Sequence, residues 1–241
     1  MLAIYKREMR AFFTSPYGYV YVAMFLAMSS FCFCYFTLLM GEASSITSYF
    51  TVELFVVALM TPLLTMRSFS EERKQGTEQL LMTAPVSLPG MVTAKFLASY
   101  TMFGITFLVS CINVPVALSY LSEDNLFRYN AVCALGGCVA LLLVGAAFIA
   151  IGVFISSLTE NQIISGSVTV LTLAVLLLIS FLNTYIDIAP IRAVFSWLSI
   201  YTRFSNFSNG YFDFAALLYY VSISVVCLFL TVRVYEKRRW A

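Results

Sequence analysis

The chain has 241 residues, of which 61% are hydrophobic and only 11% are charged, and its formal net charge is +2. Soluble domains carry about 25% charged residues, so this composition excludes an ordinary soluble protein and indicates an integral membrane protein. The sequence contains no histidine, which removes the commonest general base and metal ligand of enzymes. Its six cysteines lie in apolar runs without CxxC spacing, so we expect no metal site.

The first element, residues 1–15, is predicted to be a short amphipathic helix at the inner membrane face. Apolar residues from Leu2 to Phe12 recur at helical spacing with basic residues between them. This pattern is typical of a helix that lies in the membrane interface. Pro16 would end it before the first membrane span.

Six apolar runs follow, each long enough for a membrane helix, which needs about 20 residues. The runs are continuous rather than alternating, which favours helices over a β-barrel. The predicted spans are residues 17–40, 49–66, 95–120, 131–156, 163–186 and 212–232. Glycines such as Gly137, Gly145 and Gly152 in the fourth span predict that it packs closely against its neighbours.

The basic residues between these spans are distributed unequally. One side would carry eleven of them: Lys6, Arg7, Arg10, Arg67, Arg73, Lys74, Lys95, Arg233, Lys237, Arg238 and Arg239. The other side would carry Arg128, Arg192 and Arg203. Because basic residues are retained on the cytoplasmic side of membranes, both termini are predicted to be cytoplasmic.

The loop between the second and third spans, residues 67–92, is the largest predicted cytoplasmic segment. Ser68 and Glu71 have the spacing of a helix capping box, and Gly76 would end that short helix. Thr77 could then cap a second short helix. The loop thus offers a mixed-charge side and an oily side, which suits a docking surface, although a merely solvated charged loop has the same composition.

The sequence lacks the residue patterns of a catalytic site or of an ion-coupled transport site. Glu53 is the only acidic residue in an apolar run, near the outer edge, and no span centre is ionisable, which disfavours ion-coupled carriers and channels with charged rings. There is no GxxxxGK[ST] loop, paired-carboxylate site or nucleophile elbow. We therefore expect no catalytic site, and any energy for transport must come from a partner.

Four segments carry a resemblance to a known family. They are the start IYKREMRAFFTSPYGYV, the loop MRSFSEERKQGTEQLLMTAPVS, the turn SSLTENQIIS, and the ending that begins FSNFSNGYFDF. In this order they resemble the permease subunits of ABC-2-type transporters, and more closely the gliding-motility permease branch. The resemblance implies a single all-α permease domain over residues 1–241, of the type V exporter-like fold. It would have a connecting helix at 1–15, a coupling loop at 67–92 and an outer short-helix segment at 187–210.

The resemblance also implies partners. The chain would be the transmembrane subunit of an ABC exporter in the bacterial inner membrane, surrounded by lipid. A separate ATPase subunit would bind ATP and Mg²⁺, while this chain would bind no cofactor, metal or nucleic acid. A second permease chain would complete a homo- or heterodimer, and an accessory protein could join at the outer face.

Two groups of contacts with the ATPase follow from the resemblance. In the coupling loop they are Ser70, Glu71, Glu72, Arg73, Lys74, Thr77, Glu78, Leu80, Leu81 and Met82. A second, smaller contact would be Thr159, Glu160 and Asn161 between the fourth and fifth spans. Charge complementarity would set register and partner choice there.

Two other functions are compatible with the same residues. One is a membrane scaffold or mechanotransmission subunit that moves nothing, and the other is a passive channel. The uncharged spans suit cargo such as lipids, lipid-linked sugars, peptides or hydrophobic small molecules, and they also suit no cargo at all.

Overall fold

The computed structural model describes residues 1–35, 46–76, 87–121, 127–182 and 199–240. These residues form ten helices and no strand. The helices are α1 Leu2–Thr14, α2 Pro16–Cys32, α3 Ile46–Thr65, α4 Ser70–Lys74, α5 Leu88–Ser110, α6 Asn113–Leu121, α7 Phe127–Leu158, α8 Gln162–Leu182, α9 Ile200–Ser208 and α10 Phe214–Trp240. The all-α prediction is therefore confirmed over the described residues.

Six stretches are long and apolar enough to cross a membrane, which confirms the predicted number of spans. They are Pro16–Tyr35, Ile46–Lys74, Leu88–Ser119, Phe127–Leu158, Gln162–Ser180 and Phe214–Arg239. The protein is thus a multi-pass membrane protein. The predicted tails of the first and fifth spans, residues 36–40 and 183–186, lie outside the described residues.

The third span differs from its prediction at both ends. Helix α5 begins at Leu88 rather than at residue 95. Pro89 is accommodated in its first turn, where backbone N–H groups make no hydrogen bond within the helix and proline's lack of an N–H is therefore tolerated. The helix ends at Ser110, and α6 restarts at Asn113 with Pro115 in its first turn. The loop after α3 is consequently shorter than the predicted 67–92.

The long helix α7 forms the centre of the bundle. It packs against α3, α5, α8, α9 and α10. In the apolar windows of α3 and α7, 67% of the residues are buried, against 22% for α10. Helices α3 and α7 are therefore the inner pair, and the other spans surround them.

Glycines on α7 let neighbouring helices approach closely, as predicted for the fourth span from its small residues. A Cβ added at Gly145 would lie 2.3 Å from the ring of Phe103 on α5, and one at Gly152 would lie 2.2 Å from the hydroxyl of Thr65 on α3. Real side chains do not come so close, so both positions exclude anything larger than glycine without rearrangement.

Helix α1 packs against α2 and α5 at one end of the bundle. The Tyr5 hydroxyl donates to Thr101 Oγ1 at 3.1 Å, while Leu2 and Phe13 remain exposed. This agrees with the predicted interfacial amphipathic helix. Ser15 accepts from the backbone N–H of Tyr17 at 3.2 Å and so separates α1 from α2. We call this end of the bundle the junction end and the opposite end the far end.

Helix α9 lies at the far end, inside the predicted outer segment 187–210. It begins after Ser199, whose hydroxyl accepts from the N–H of Thr202 at 3.2 Å. Tyr220 of α10 donates to the carbonyl of Ile200 at 2.9 Å, which fixes α9 against the bundle. Residues 187–198 of the predicted segment lie outside the described residues.

Candidate functional site: a charged junction where the loop after α3 meets the bundle

Four charged side chains meet where α1, the loop after α3 and α5 converge. We call Arg7, Glu8, Glu72 and Lys95 the charged junction. Glu72 lies 2.5 Å from Arg7 Nη2 and 2.9 Å from Lys95 Nζ. Glu8 lies 2.7 Å from Arg7 and 3.4 Å from Lys95. Three separate chain segments are thereby tied together by alternating charges.

Lys95 is the buried centre of this junction, with a side chain only 1% exposed. Its ammonium donates to the backbone carbonyl of Ser68 at 2.5 Å and lies 4.8 Å from the centroid of the Phe69 ring. A buried ammonium is costly unless it is paired and hydrogen-bonded. The acidic residues and the loop carbonyl therefore hold α5 and the loop in one relative position.

Arg7 lies at the rim of the junction and is half exposed. Burial lowers the pKa of its guanidinium, but the Glu8 and Glu72 carboxylates outweigh this effect and hold the pKa above its ordinary value. Arg7 thus stays charged and connects α1 to the loop. Its exposure means that water screens this pair more than the Lys95 pair.

A second connection joins the loop to the central helix α7. The Ser156 hydroxyl accepts from the backbone N–H of Phe69 at 3.1 Å and from that of Ser70 at 3.2 Å. The Phe69 ring also packs against Tyr235 of α10, with centroids 5.0 Å apart. One buried serine therefore satisfies the donors at the start of α4 and anchors them to α7.

The predicted capping box at Ser68 is wrong. Helix α4 begins at Ser70 after Phe69, with no side-chain cap. The carbonyl of Ser68 accepts a hydrogen bond from Lys95. Both carboxylate oxygens of Glu71 accept from the Arg67 guanidinium, each at 2.6 Å. The capping function passes instead to Ser156 of α7. Gly76 does end the turn, with a φ of +69° that favours glycine.

Arg67 also contacts the first span. Its guanidinium lies 4.5 Å from the ring centroid of Tyr17 on α2, close enough for a cation–π interaction. With Glu71 on its other side, Arg67 bridges the start of α2 to helix α4. The loop after α3 thus reaches α2 as well as α1, α5 and α7.

The two predicted contact regions touch each other. Arg73 Nη2 lies 2.6 Å from Glu160, and Arg73 Nη1 donates to the carbonyl of Leu158 at 3.3 Å. The Glu160 side chain is 66% exposed. The loop after α3 and the turn between α7 and α8 therefore form one continuous surface at the junction end.

The structure separates the predicted site residues into two sets. Ser70 is buried, and Glu71, Glu72 and Arg73 are part-buried with partners in the same chain. Exposed residues are Lys74, Glu160 and Asn161, while Thr159 is part-buried. Thr77, Glu78, Leu80, Leu81 and Met82 lie outside the described residues.

Sequence reasoning missed four residues that organise the junction: Arg7, Glu8, Lys95 and Ser156. From the sequence, Arg7 and Lys95 were counted only among the basic residues that predict the cytoplasmic side of the membrane. Glu8 is an acidic residue in an otherwise basic helix, and that exception is the one signal that could have pointed to a specific pair. A serine at the end of an apolar run has many structural roles, so Ser156 carries no such signal.

Residues 37–235 match the family model described as "ABC-2 family transporter protein". The match extends over more than half of the chain, and it includes the loop after α3, the turn between α7 and α8 and most of α10. No curated protein matches this sequence.

Proposed function

This chain belongs to the ABC-2 transporter family, and on that premise we propose that it is the membrane subunit of an exporter driven by a separate ATPase. The family implies association with an ABC ATPase and dimerisation in general. In the proposal the ATPase supplies ATP and Mg²⁺, and the permease supplies the membrane path. The sequence has no phosphate-binding loop of its own, which supports this division of labour.

The observation that carries the proposal is the way the loop after α3 is bonded to the bundle. Glu72 ties it to α5 through the buried Lys95, and its backbone is tied to α7 through Ser156. The Lys95 contact is buried and charge-assisted, and the Ser156 contacts are buried neutral hydrogen bonds, so the loss of either is costly. A force applied to the loop would therefore move α5 and the central helix rather than deform the loop alone.

The proposed docking surface differs from the anchors that support it. We assign Glu71 and Glu72 to positioning of the loop, because their carboxylates are used within the chain. Lys74 and Asn161 are exposed and would meet the ATPase directly. Glu160 is paired with Arg73 at 2.6 Å, but its side chain is 66% exposed, so it would present this ion pair to the ATPase. The segment from Thr77 to Met82 keeps its proposed role in the docking contact on the sequence resemblance alone.

The finer features of the proposal concern branch and orientation. We place the chain in the gliding-motility branch of the family, as the loop and the C-terminal sequence suggest. The junction end faces the cytoplasm of a bacterium across its inner membrane, as the excess of basic residues supports. A fluorescent protein fused after residue 241 would then fluoresce, whereas a fused alkaline phosphatase, which needs an oxidising compartment, would be inactive.

The decisive experiment is gentle purification of the chain from its native membrane, with mass spectrometry of the proteins that accompany it. We expect a separate ATPase at about one copy per permease chain, and an ATPase activity that rises in the complex. Charge reversal by Lys74→Glu should reduce the recovered ATPase at least about tenfold, equal to 1.4 kcal/mol. The matched control is Arg128→Glu, which reverses an exposed charge at the far end and should leave recovery unchanged.

Three outcomes would count against the proposal. Absence of any ATPase under mild detergent or in nanodiscs would favour a membrane scaffold. Passive flux through the reconstituted chain without ATP would favour a channel. Equal recovery of the ATPase with Lys74→Glu and with Arg128→Glu would refute the assignment of the docking surface to the region of Lys74. It would leave the family membership unaffected.

A further inference from the structure

A group of buried polar side chains lies at the far end of the bundle, away from the charged junction. Ser29 near the end of α2, Glu53 in α3 and Ser110 at the end of α5 are 0%, 1% and 3% exposed. Glu53 follows the first residue of α3, Ile46, by seven positions, which is about 10 Å along the helix axis. The carboxyl group therefore lies about two turns into α3, within an apolar span.

The three side chains form a closed ring of oxygen contacts. Ser29 Oγ lies 3.0 Å from Glu53 Oε2, and Ser110 Oγ lies 3.3 Å from Glu53 Oε1. The two serine oxygens are 2.6 Å apart, and either can be the donor. All three separations are hydrogen-bond distances.

Counting protons around this ring shows which state of the carboxyl group fits all three contacts. Each hydrogen bond needs one bridging proton, and each serine hydroxyl has only one to donate. Two serines supply two protons, so all three contacts are hydrogen bonds only when Glu53 carries the third. With an ionised carboxylate, one contact, such as that of 3.3 Å, is not a hydrogen bond. The Tyr49 hydroxyl belongs to the same polar group and hydrogen-bonds with both serines. The complete ring fits a neutral acid that both donates and accepts.

The electrostatic surroundings agree with a neutral acid. Among the described residues, no lysine or arginine lies within 4.0 Å of the Glu53 carboxyl group. The titratable groups that face it are Tyr49 of α3 itself, Cys32 of α2, Cys111 after α5 and Cys138 of α7. None of these side chains is a cation. A carboxylate without a cation partner is unfavourable in such an apolar setting, and protonation removes the buried charge.

We propose that Glu53 is a proton-binding site within the membrane bundle, which holds a proton while α2, α3 and α5 are packed together and releases it when they separate. In that step the O–H bond of the carboxyl group breaks, and the proton passes to water that enters between the helices. The carboxylate that remains is hydrated by the same water. The two serines can then both donate to it, because their mutual contact is no longer enforced.

This site would make the packing of the far end depend on pH. Raising the pH favours the separated, ionised state, and lowering it favours the packed, protonated state. The three helices approach the far end from different parts of the sequence, so one proton would control how three of the six spans are held together. The inference concerns the far end only and stands whether or not an ATPase binds at the junction end.

Infrared spectroscopy of the purified full chain in lipid nanodiscs tests the protonation state directly. Exposed carboxyl groups have lost their protons at about pH 7, and Glu53 is the only carboxyl group that is buried among the described residues. We expect a carbonyl band of a protonated carboxylic acid at this pH in the wild type, and its loss in Glu53→Gln. The proposal is overturned if the wild type lacks the band at about pH 7, a result that needs no variant to fold.

A second measurement tests the linkage to packing. The folded chain holds the proton and the unfolded chain has lost it above about pH 5, so the unfolding temperature of the wild type should fall as the pH rises above about pH 5. The slope should disappear in Glu53→Gln, which keeps a donor and an acceptor in the ring without a titratable proton. The control Glu236→Gln, at a carboxylate paired with Arg233 on α10, should keep the wild-type slope. An unchanged slope in a folded Glu53→Gln would refute the linkage.

Discussion

Replacing Glu72 by glutamine should destabilise the protein by about 2–3 kcal/mol. A hydrogen bond to a charged group contributes about 1.5–3 kcal/mol, whereas an exposed ion pair contributes about 0–1 kcal/mol. Glu72 contacts Lys95, whose side chain is 1% exposed, and Arg7, whose side chain is 51% exposed. Lys95 keeps Glu8 and the Ser68 carbonyl as partners, so the loss stays below the full cost of an orphaned buried charge.

Reversible unfolding in mixed detergent micelles, followed by circular dichroism, would measure this loss. The matched control is Glu236→Gln, which breaks the exposed pair with Arg233 and should cost less than about 1 kcal/mol. A double-mutant cycle with Lys95→Met tests the cause. Once the ammonium is absent, Glu72→Gln should cost at least about 1.5 kcal/mol less than in the wild type.

Two results would refute this reasoning about the charged junction. The first is a cost for Glu72→Gln no greater than that for Glu236→Gln, which would mean that burial of Lys95 adds nothing to the pair. The second is additivity of Glu72→Gln and Lys95→Met, which would mean that the two side chains do not interact. Either result would also weaken the proposal that the loop after α3 moves α5 as a unit.

Three further predictions concern packing, the second anchor and acid stability. Gly145→Ala should lower the free energy of unfolding by about 1–3 kcal/mol, because the added Cβ would lie 2.3 Å from a ring. Gly104→Ala, where the added Cβ has nothing within 4 Å, should raise it by about 0.5–1 kcal/mol. Ser156→Ala should cost about 1–3 kcal/mol in the same assay, because it leaves two buried N–H groups without an acceptor. A side-chain amide and two backbone N–H groups hold the pKa of Asp213 below its ordinary value, so its contribution is present above that ordinary value and is lost as the pH falls. Asp213→Asn should therefore flatten the loss of unfolding temperature on acidification below about pH 4.

The spans could be predicted because each depends on local composition. A run of about 20 apolar residues without charge can satisfy its backbone only as a membrane helix, wherever its neighbours lie. Helix α1 could be predicted for a similar reason, since its apolar and basic residues alternate at helical spacing within one segment. Asn113 and Pro115 predict an irregularity in the third span, but a proline inside an apolar run is compatible with a kink as well as with a break, and the structure shows the interruption between α5 and α6.

The site was predicted only in part. The loop after α3 was recognised by its charges, but charge alone does not show whether a side chain faces a partner protein or another part of the same chain. Glu72 illustrates the difference, because its partner Lys95 lies 23 positions away and its partner Arg7 lies 65 positions away. No periodicity within the loop could have indicated either pair.

The sequence by itself determined that this is a membrane protein of six helical spans with an amphipathic helix before the first of them, because those features follow from composition and local spacing. Only the tertiary structure decided which charges are anchors and which are free for a partner, and only it brought Ser29, Glu53 and Ser110 into one ring. The physical reason is that a burial cost or a hydrogen bond is decided by distances between segments that are far apart in the chain. Those distances are set by how the helices pack around α7.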